Sequence, residues 1–209
     1  SINMEVAVFC VGPLDTNCYV VHNAGEAMVI DPGGKPKKIL VYLEKNYLTV
    51  SRILNTHLHF DHAYGNAELA AKYNAPILAG ADEAKIDNSP LTQGGIYGLP
   101  SVAPSTWEAL TPGEYDWRGV TGRVLPTPGH SPGSLTFYAP DLGAAFVGDL
   151  IFRQSVGRTD FPGGSTAVLV KSVKEHIFTL PPETVLYSGH GPKTTVAEEV
   201  RKNPYIPKD

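Results

Sequence analysis

The chain has 209 residues, 42% of them hydrophobic and 18% charged, with a formal net charge of −4. That length is ample for a buried core and that composition excludes a disordered or fibrous protein, so one domain over residues 1–209 is expected. No apolar run nears the ~20 residues that span a bilayer and no dense Lys/Arg block marks a nucleic-acid footprint, so neither membrane nor nucleic acid is expected as a partner. Cys10 and Cys18 are the only cysteines. They are too few for a disulfide framework, fit a reducing cytoplasm, and leave metal binding to nitrogen and oxygen. The pair either cross-links across a hairpin or consists of two small thiols on neighbouring strands. The opening SINMEVAVF lacks a charged leader followed by an apolar segment and a cleavage site, so no secretion signal is read there; Ser1 to Asn3, before Met4, read as an appended remnant.

Glu5–Val11, Cys18–His22 and Ala27–Ile30 are β-branched-rich runs separated by GPLDTN and NAGE, which predicts an antiparallel meander. Asp31-Pro32-Gly33-Gly34 ends the third strand, and Ile39, Leu40, Leu43 and Tyr47 at helical spacing predict a helix over 35–47. A strand at 52–55 precedes THLHFDHAYGN (56–66), after which a helix over 63–73 is expected, capped by Asp61. A short strand (76–79) and a short helix (82–86) follow. Residues 87–112 lack periodicity and read equally as a substrate-covering flap or a surface connection. Strands are predicted at 115–117, 123–127, 135–138, 144–147 and 184–188, and helices at 166–179 and 196–203, the last stopped by Pro204. Strand-rich halves that each end in helices suggest two packed sheets with helices outside.

Within 56–66, His57, His59, Asp61 and His62 crowd into six positions, the pattern His-x-His-x-Asp-His. Imidazoles two residues apart can turn toward one ion while the adjacent Asp-His pair serves a second. His130, Asp149 and His190 each follow a glycine at the end of a predicted strand. Glycine there lets the chain turn sharply and bring the next side chain close to an ion. Seven ligands make two sites if one carboxylate is shared: His57, His59 and His130 for the first, Asp61, His62 and His190 for the second, Asp149 as the bridge, with room left for a shared water. His22, on a strand, and His176, on a helix, read as structural.

THLHFDH, with Gly-His at 130, Gly-Asp at 149 and Gly-His at 190, resembles the signature regions of the metallo-β-lactamase superfamily. The resemblance covers nearly the whole chain. It implies an α/β fold, the αββα four-layer sandwich of two mixed sheets with helices on both outer faces. VIDPGG around Asp31 is similar to the superfamily's early aspartate motif, which implies a structural support near the metals; a simple turn aspartate is the other reading. PLDTNCY at 13–19, THxHxDHxxGN, GDLIF and GRTD at 157–160 are similar to the glyoxalase II group, the hydroxyacylglutathione hydrolases. Aspartate rather than cysteine at 149 departs from the best-known lactamase branch and argues against antibiotic hydrolysis. The group's C-terminal helical extension has no counterpart before the last residue, Asp209. Asp160 stands where a tyrosine is expected, and Pro192 where an aromatic is. Arg158 matches a basic substrate-binding position, as an anchor for a substrate carboxylate or as the ion-pair partner of Asp160.

The expected function is a dinuclear hydrolase of small-molecule thioesters of the S-lactoylglutathione kind. It uses two divalent ions, zinc first, with iron or manganese as alternatives, and a hydroxide shared by the ions and oriented by Asp61. A thiolate with a thiol pKa near ~8.5 departs without much help from an acid, which favours a thioester over an ester or amide. The competing expectation is a mononuclear iron oxidoreductase resembling the persulfide dioxygenases; metal count separates the two. The superfamily's RNA-processing nucleases fit less well, because their basic surfaces are absent.

Overall fold

The structure is a computed structural model that describes residues 3–209; of the stretch read as an appended remnant, Ser1 and Ile2 lie outside the described residues. The chain divides into two compact units, one made of the residues up to Ala79 with Ile86–Leu110, the other of Gly80–Lys85 with Thr111–Asp209.

The first unit is built on a six-stranded mixed sheet. Strands β1 (Glu5–Val11), β2 (Thr16–Asn23) and β3 (Glu26–Ile30) form the expected antiparallel meander. Its second turn has Ala24 at φ +52° and Gly25 at φ +80°, and positive φ at both central residues gives the tight hairpin geometry that matches strand twist. Strands β4 (Thr49–Leu54), β5 (Ile77–Ala79) and β6 (Glu108–Ala109) continue in parallel from β3. Helix α1 (Lys37–Lys45) buries Ile39 and Leu43, four residues apart on one face, among Val20, Val29, Ile53 and Ile77. Tyr47, expected on that face, lies beyond the helix end at φ +54° and is 91% exposed. Cys10 and Cys18 are free thiols rather than a cross-link. In register Phe9 faces Cys18, and adjacent residues of a strand point to opposite faces, so the two sulfurs diverge. Complete burial pushes the Cys18 thiol pKa well above its ordinary value.

The helix expected over 63–73 is two: α2 (Phe60–Ala63) and α3 (Asn66–Tyr73). The break falls at Gly65, whose N–H donates to the Pro32 carbonyl at 2.7 Å; a Cβ there would lie 2.8 Å from the carbonyl oxygens of Pro32 and Gly34. Asp61 therefore does not cap a helix. It sits inside the first turn of α2, with His59 at the cap position and no side-chain capping bond. The aperiodic stretch holds a short helix α4 (Pro90–Gln93) besides β6, and Trp107 Nε1 donates to Asp87 Oδ2 at 3.0 Å across it. A cavity of about 510 Å³ lies there, lined by Leu58, Ala63, Asn66, Thr92, Val102 and Trp107 among others.

The second unit carries the other six-stranded mixed sheet, of strands β7 (Gly113–Trp117), β8 (Val120–Pro126), β9 (Leu135–Ala139), β10 (Ala144–Gly148), β13 (Val185–Ser188) and β14 (Thr194–Thr195), in the order β14-β13-β10-β9-β8-β7. Only β10–β13 is parallel; a two-stranded hairpin of β11 (Ile151–Phe152) and β12 (Ser155–Val156) stands apart. Helix α5 (Thr166–Ser172) starts at Ser165, whose hydroxyl accepts from Val168 N at 3.3 Å, and runs into a π-helical turn, Val173–Ile177. Leu169, Val173 and Ile177, at four-residue spacing, are fully buried against Leu150, Ile151 and Leu186. Helix α6 (Val196–Lys202) closes the chain. Two large mixed sheets with helices are the α/β architecture expected. Among the described residues no helix is long and apolar enough to cross a membrane. His22 is structural as expected, with Nε2 2.8 Å from Tyr42 Oη.

Candidate metal centre

In the first unit the histidine cluster follows directly on β4, and Asp31 organises it. Asp31 ends β3 at φ +54° and is 2% exposed. Its Oδ1 accepts from Thr56 N at 2.8 Å; its Oδ2 accepts from Thr56 Oγ1 at 2.6 Å and from His62 Nδ1 at 2.9 Å. A carboxylate only accepts, so His62 carries its hydrogen on Nδ1 and its lone pair on Nε2. The single hydroxyl hydrogen of Thr56 is committed to Asp31, so at 3.0 Å its oxygen accepts the Nδ1–H of His57, which puts that lone pair on Nε2 as well. The His57 ring lies 4.6 Å from that of His59 and 4.1 Å from that of His62, and Asp61 Oδ2 is 3.5 Å from His62 Nε2. Gly33 makes room for this turn of chain: a Cβ there would lie 1.6 Å from the Asp61 carbonyl oxygen.

In the second unit His130 lies on the loop from β8 to β9, Asp149 just past β10, and His190 just past β13. Asp149 Oδ2 is 3.6 Å from His130 Nε2 and 3.4 Å from His190 Nε2. His130 Nδ1 donates to the Arg158 carbonyl oxygen at 2.7 Å, so its lone pair too is on Nε2. The loop around it is pinned on several sides. Ser172 Oγ donates to the Pro128 carbonyl at 2.7 Å, Ser165 N donates to that of Gly129 at 2.8 Å, and Glu83 Oε2 accepts from Ser131 Oγ and, at 2.8 Å, from Gly133 N. Imidazoles whose Nδ1–H is held by a fixed acceptor while Nε2 presents its lone pair beside carboxylates are the donor set that suits a divalent cation.

The sequence profile of the metallo-beta-lactamase superfamily matches residues 11–190, a span that includes every residue just described. The chain belongs to that superfamily. It is 36% identical to the probable metallo-hydrolase YqgX of Bacillus subtilis, over 94% of each chain, and 29% identical to the hydroxyacylglutathione hydrolase GloC of Haemophilus influenzae, over 97% of this chain and 98% of that one. Among solved structures it is similar to the BLEG-1 B3 metallo-beta-lactamase, with 33% identity and a TM-score of 0.90 over 97% of this chain and 99% of that one. It is also similar to TTHA1623 in a di-iron-bound form, with 36% identity and a TM-score of 0.85 over 96% of this chain and 100% of that one. Superfamily membership and the His/Asp donors together support a metal-dependent hydrolase with divalent ions.

Each unit gathers its own share of the residues read from sequence: His57, His59, Asp61 and His62 in one, His130, Asp149 and His190 in the other. Arg158 forms a bidentate pair with Asp160, Nε to Oδ1 at 2.7 Å and Nη2 to Oδ2 at 2.8 Å, and stacks 3.9 Å over Phe161. The guanidinium holds the Asp160 carboxyl below its ordinary pKa. Both side chains are more than half exposed, so the pair itself adds little stability. The residues that sequence reading did not single out are Thr56, Glu83 and Gly157. A Cβ at Gly157 would lie 1.7 Å from the Asp149 carbonyl oxygen and 3.2 Å from His130 Nδ1. Gly157→Ala should therefore destabilise the protein by ~3 kcal/mol or more, the upper range for overpacking because backbone rather than a pliable side chain is struck. A melting temperature within about 2 °C of the parent's, against the 2–4 °C expected per kcal/mol at this size, would show that the loop simply gives way.

Proposed function

We propose that the chain is a dinuclear metal-dependent hydrolase of thioesters, S-lactoylglutathione-like compounds among them, with the single domain 1–209 carrying the activity. In this reading His57, His59 and His130 hold one ion, Asp61, His62 and His190 the other, and Asp149 bridges them. The observation that carries it is the position of Asp149 Oδ2, 3.6 Å from His130 Nε2 and 3.4 Å from His190 Nε2. One carboxylate oxygen thus faces an imidazole from each proposed set, as a shared ligand must. The Asp61–His62 approach of 3.5 Å supports the second set in the same way. The match to GloC along nearly its whole length supports the thioester reading.

Two divalent ions at these donors would supply a water of lowered pKa and Lewis acidity toward the scissile carbonyl. Asp31 and Thr56 keep His57 and His62 in the ligating tautomer, and the Arg158 carbonyl does so for His130. In this reading Asp61 would accept a hydrogen bond from the attacking water and so orient it. A departing thiolate is a weak enough base to leave without a dedicated acid among these side chains. Zinc, iron and manganese all suit the nitrogen and oxygen donors, and the di-iron form of TTHA1623 keeps iron beside zinc as a candidate. The two free thiols fit a cytoplasmic setting.

Metal analysis combined with an assay of S-lactoylglutathione against simpler thioesters tests the proposal. A β-lactam belongs in the panel because of the likeness to BLEG-1, and oxygen uptake serves as the control. Two ions per chain with thioester turnover is the expected result. One iron with oxygen consumption would point instead to a persulfide dioxygenase-like oxidoreductase, and β-lactam turnover alone to a lactamase. Arg158 enters as the anchor of a substrate carboxylate. Arg158→Ala keeps the main-chain carbonyl that holds His130, so kcat should hold while KM for an acidic thioester rises about five-fold, the ~1 kcal/mol of an exposed charge pair. Asp160→Ala, which releases the guanidinium, should lower that KM; unchanged constants in both variants would remove Arg158 from the substrate site.

A further inference from the structure

We infer that Glu83 is a positioning residue for the metal centre: its buried carboxylate fixes the loop that presents His130, and so sets the affinity of the ion that His130 would hold. The inference rests on the dinuclear reading above. Glu83 lies in the 3₁₀ turn Ala81–Lys85 and has no exposed surface. Its Oε2 takes two hydrogen bonds from residues 48 and 50 positions further along, the Ser131 hydroxyl and the Gly133 N–H, which flank His130 on its C-terminal side. Bonds to an ionised acceptor are the stronger kind. Turn and loop also interlock backbone to backbone. A Cβ on Gly133 would lie 2.4 Å from Glu83 N, and one on Gly80 2.1 Å from the Gly133 oxygen.

The neighbours of Glu83 on this turn behave otherwise. The side chains of Asp82 and Lys85 are mostly exposed and face each other at 3.6 Å. Burying a carboxylate requires its desolvation, and a turn that only filled space would be as stable with an apolar side chain of that volume. What an apolar side chain cannot do is fix the register of Ser131 and Gly133. The His130 ring is oriented by its Nδ1–H on the Arg158 carbonyl, and its backbone is tied through the Pro128 and Gly129 carbonyls on one side and through Glu83 on the other, so where residues 131–133 sit helps set the imidazole's position. Partners that orient a metal ligand without touching the metal typically contribute 10–100-fold to metal affinity.

The test is a Co²⁺ titration of the full chain, with the visible absorption of the bound ion and a competing chelator giving two stepwise dissociation constants. Glu83→Ala should weaken one step about 10–100-fold, alter that site's absorption band, and leave the other step within about three-fold. Glu83→Gln, whose amide oxygen can still accept from Gly133, should recover most of the loss. Asp82→Asn should match the parent. A folded Glu83→Ala protein that binds both ions as the parent does overturns the inference alone, whereas a parent that takes up no cobalt pair overturns the dinuclear reading beneath it. If Glu83→Ala does not fold, Ser131→Ala decides: the same step weakened with the same band altered supports the assignment, and parent-like constants end it.

Discussion

Replacing Asp149 with alanine is expected to empty both cation positions and bring hydrolysis to background while the fold is retained. The fold should survive because the main chain at this point is held by backbone bonds of its own. Gly148 turns at φ +58°, Gly189 N donates to its carbonyl at 2.9 Å, and β10 stays paired with β9 and β13. The side chain, by contrast, faces His130 and His190 with the same oxygen. In the proposed assignment those imidazoles serve different ions, so the truncation removes a ligand from each. An outer partner of a ligand is worth 10–100-fold in affinity, and a ligand shared between two ions is worth more than that to both. Metal content by elemental analysis, read beside a melting curve, checks the outcome. Two ions retained in a folded Asp149→Ala protein would sink the bridging assignment, while loss of one only would make Asp149 a terminal ligand.

The proposed ligands could be picked out in the sequence because each stands where a strand stops: the cluster after β4, His130 after β8, Asp149 after β10, His190 after β13. A glycine before each of the last three marks a turn whatever the packing around it. Elements without such local marks were lost. The two-residue strands β6, β11, β12 and β14 are too short to show alternation, and the break between α2 and α3 arises from the close approach of Gly65 to the Pro32 and Gly34 carbonyls, a contact with a distant turn. Glu83 is the plainest case. In ADEAK it looks like one acidic residue of a solvated turn, and its environment is set by Ser131 and Gly133, about fifty positions away. Gly157 was visible only as one letter of GRTD; the Asp149 carbonyl oxygen pressed against its Cα is a tertiary fact. Asp31 could be read as a support or as a turn residue, and it is both: φ +54° and three accepted hydrogen bonds.

Those three bonds make Asp31 the second position where one substitution should have a large effect. Asp31→Ala would leave Thr56 N, Thr56 Oγ1 and His62 Nδ1 without their acceptor in a buried site; at ~1–3 kcal/mol for each donor the sum approaches the whole stability of an ordinary domain. Asp31→Asn is the more informative change. Asparagine tolerates the left-handed conformation at φ +54°, and its amide oxygen can still accept from Thr56 N. Its NH₂ group, however, would then face Thr56 Oγ1 and His62 Nδ1, where the carboxylate accepted. To avoid two opposed donors, His62 must move its hydrogen to Nε2, the atom that faces Asp61. Thr56, no longer donating to Asp31, can turn its hydroxyl hydrogen toward His57 Nδ1 and drive the same tautomer change there. One atom exchanged for its near-isostere would therefore place hydrogens on the ligating nitrogens of two histidines, one in each proposed ligand set. Metal affinity should fall about 10–100-fold in both steps. Nitrogen-15 shifts of the imidazoles in the metal-free protein report the tautomers directly. If His57 and His62 keep their hydrogens on Nδ1 in Asp31→Asn, the carboxylate is not what selects them, and the link from the VIDPGG turn to the proposed metal ligands fails.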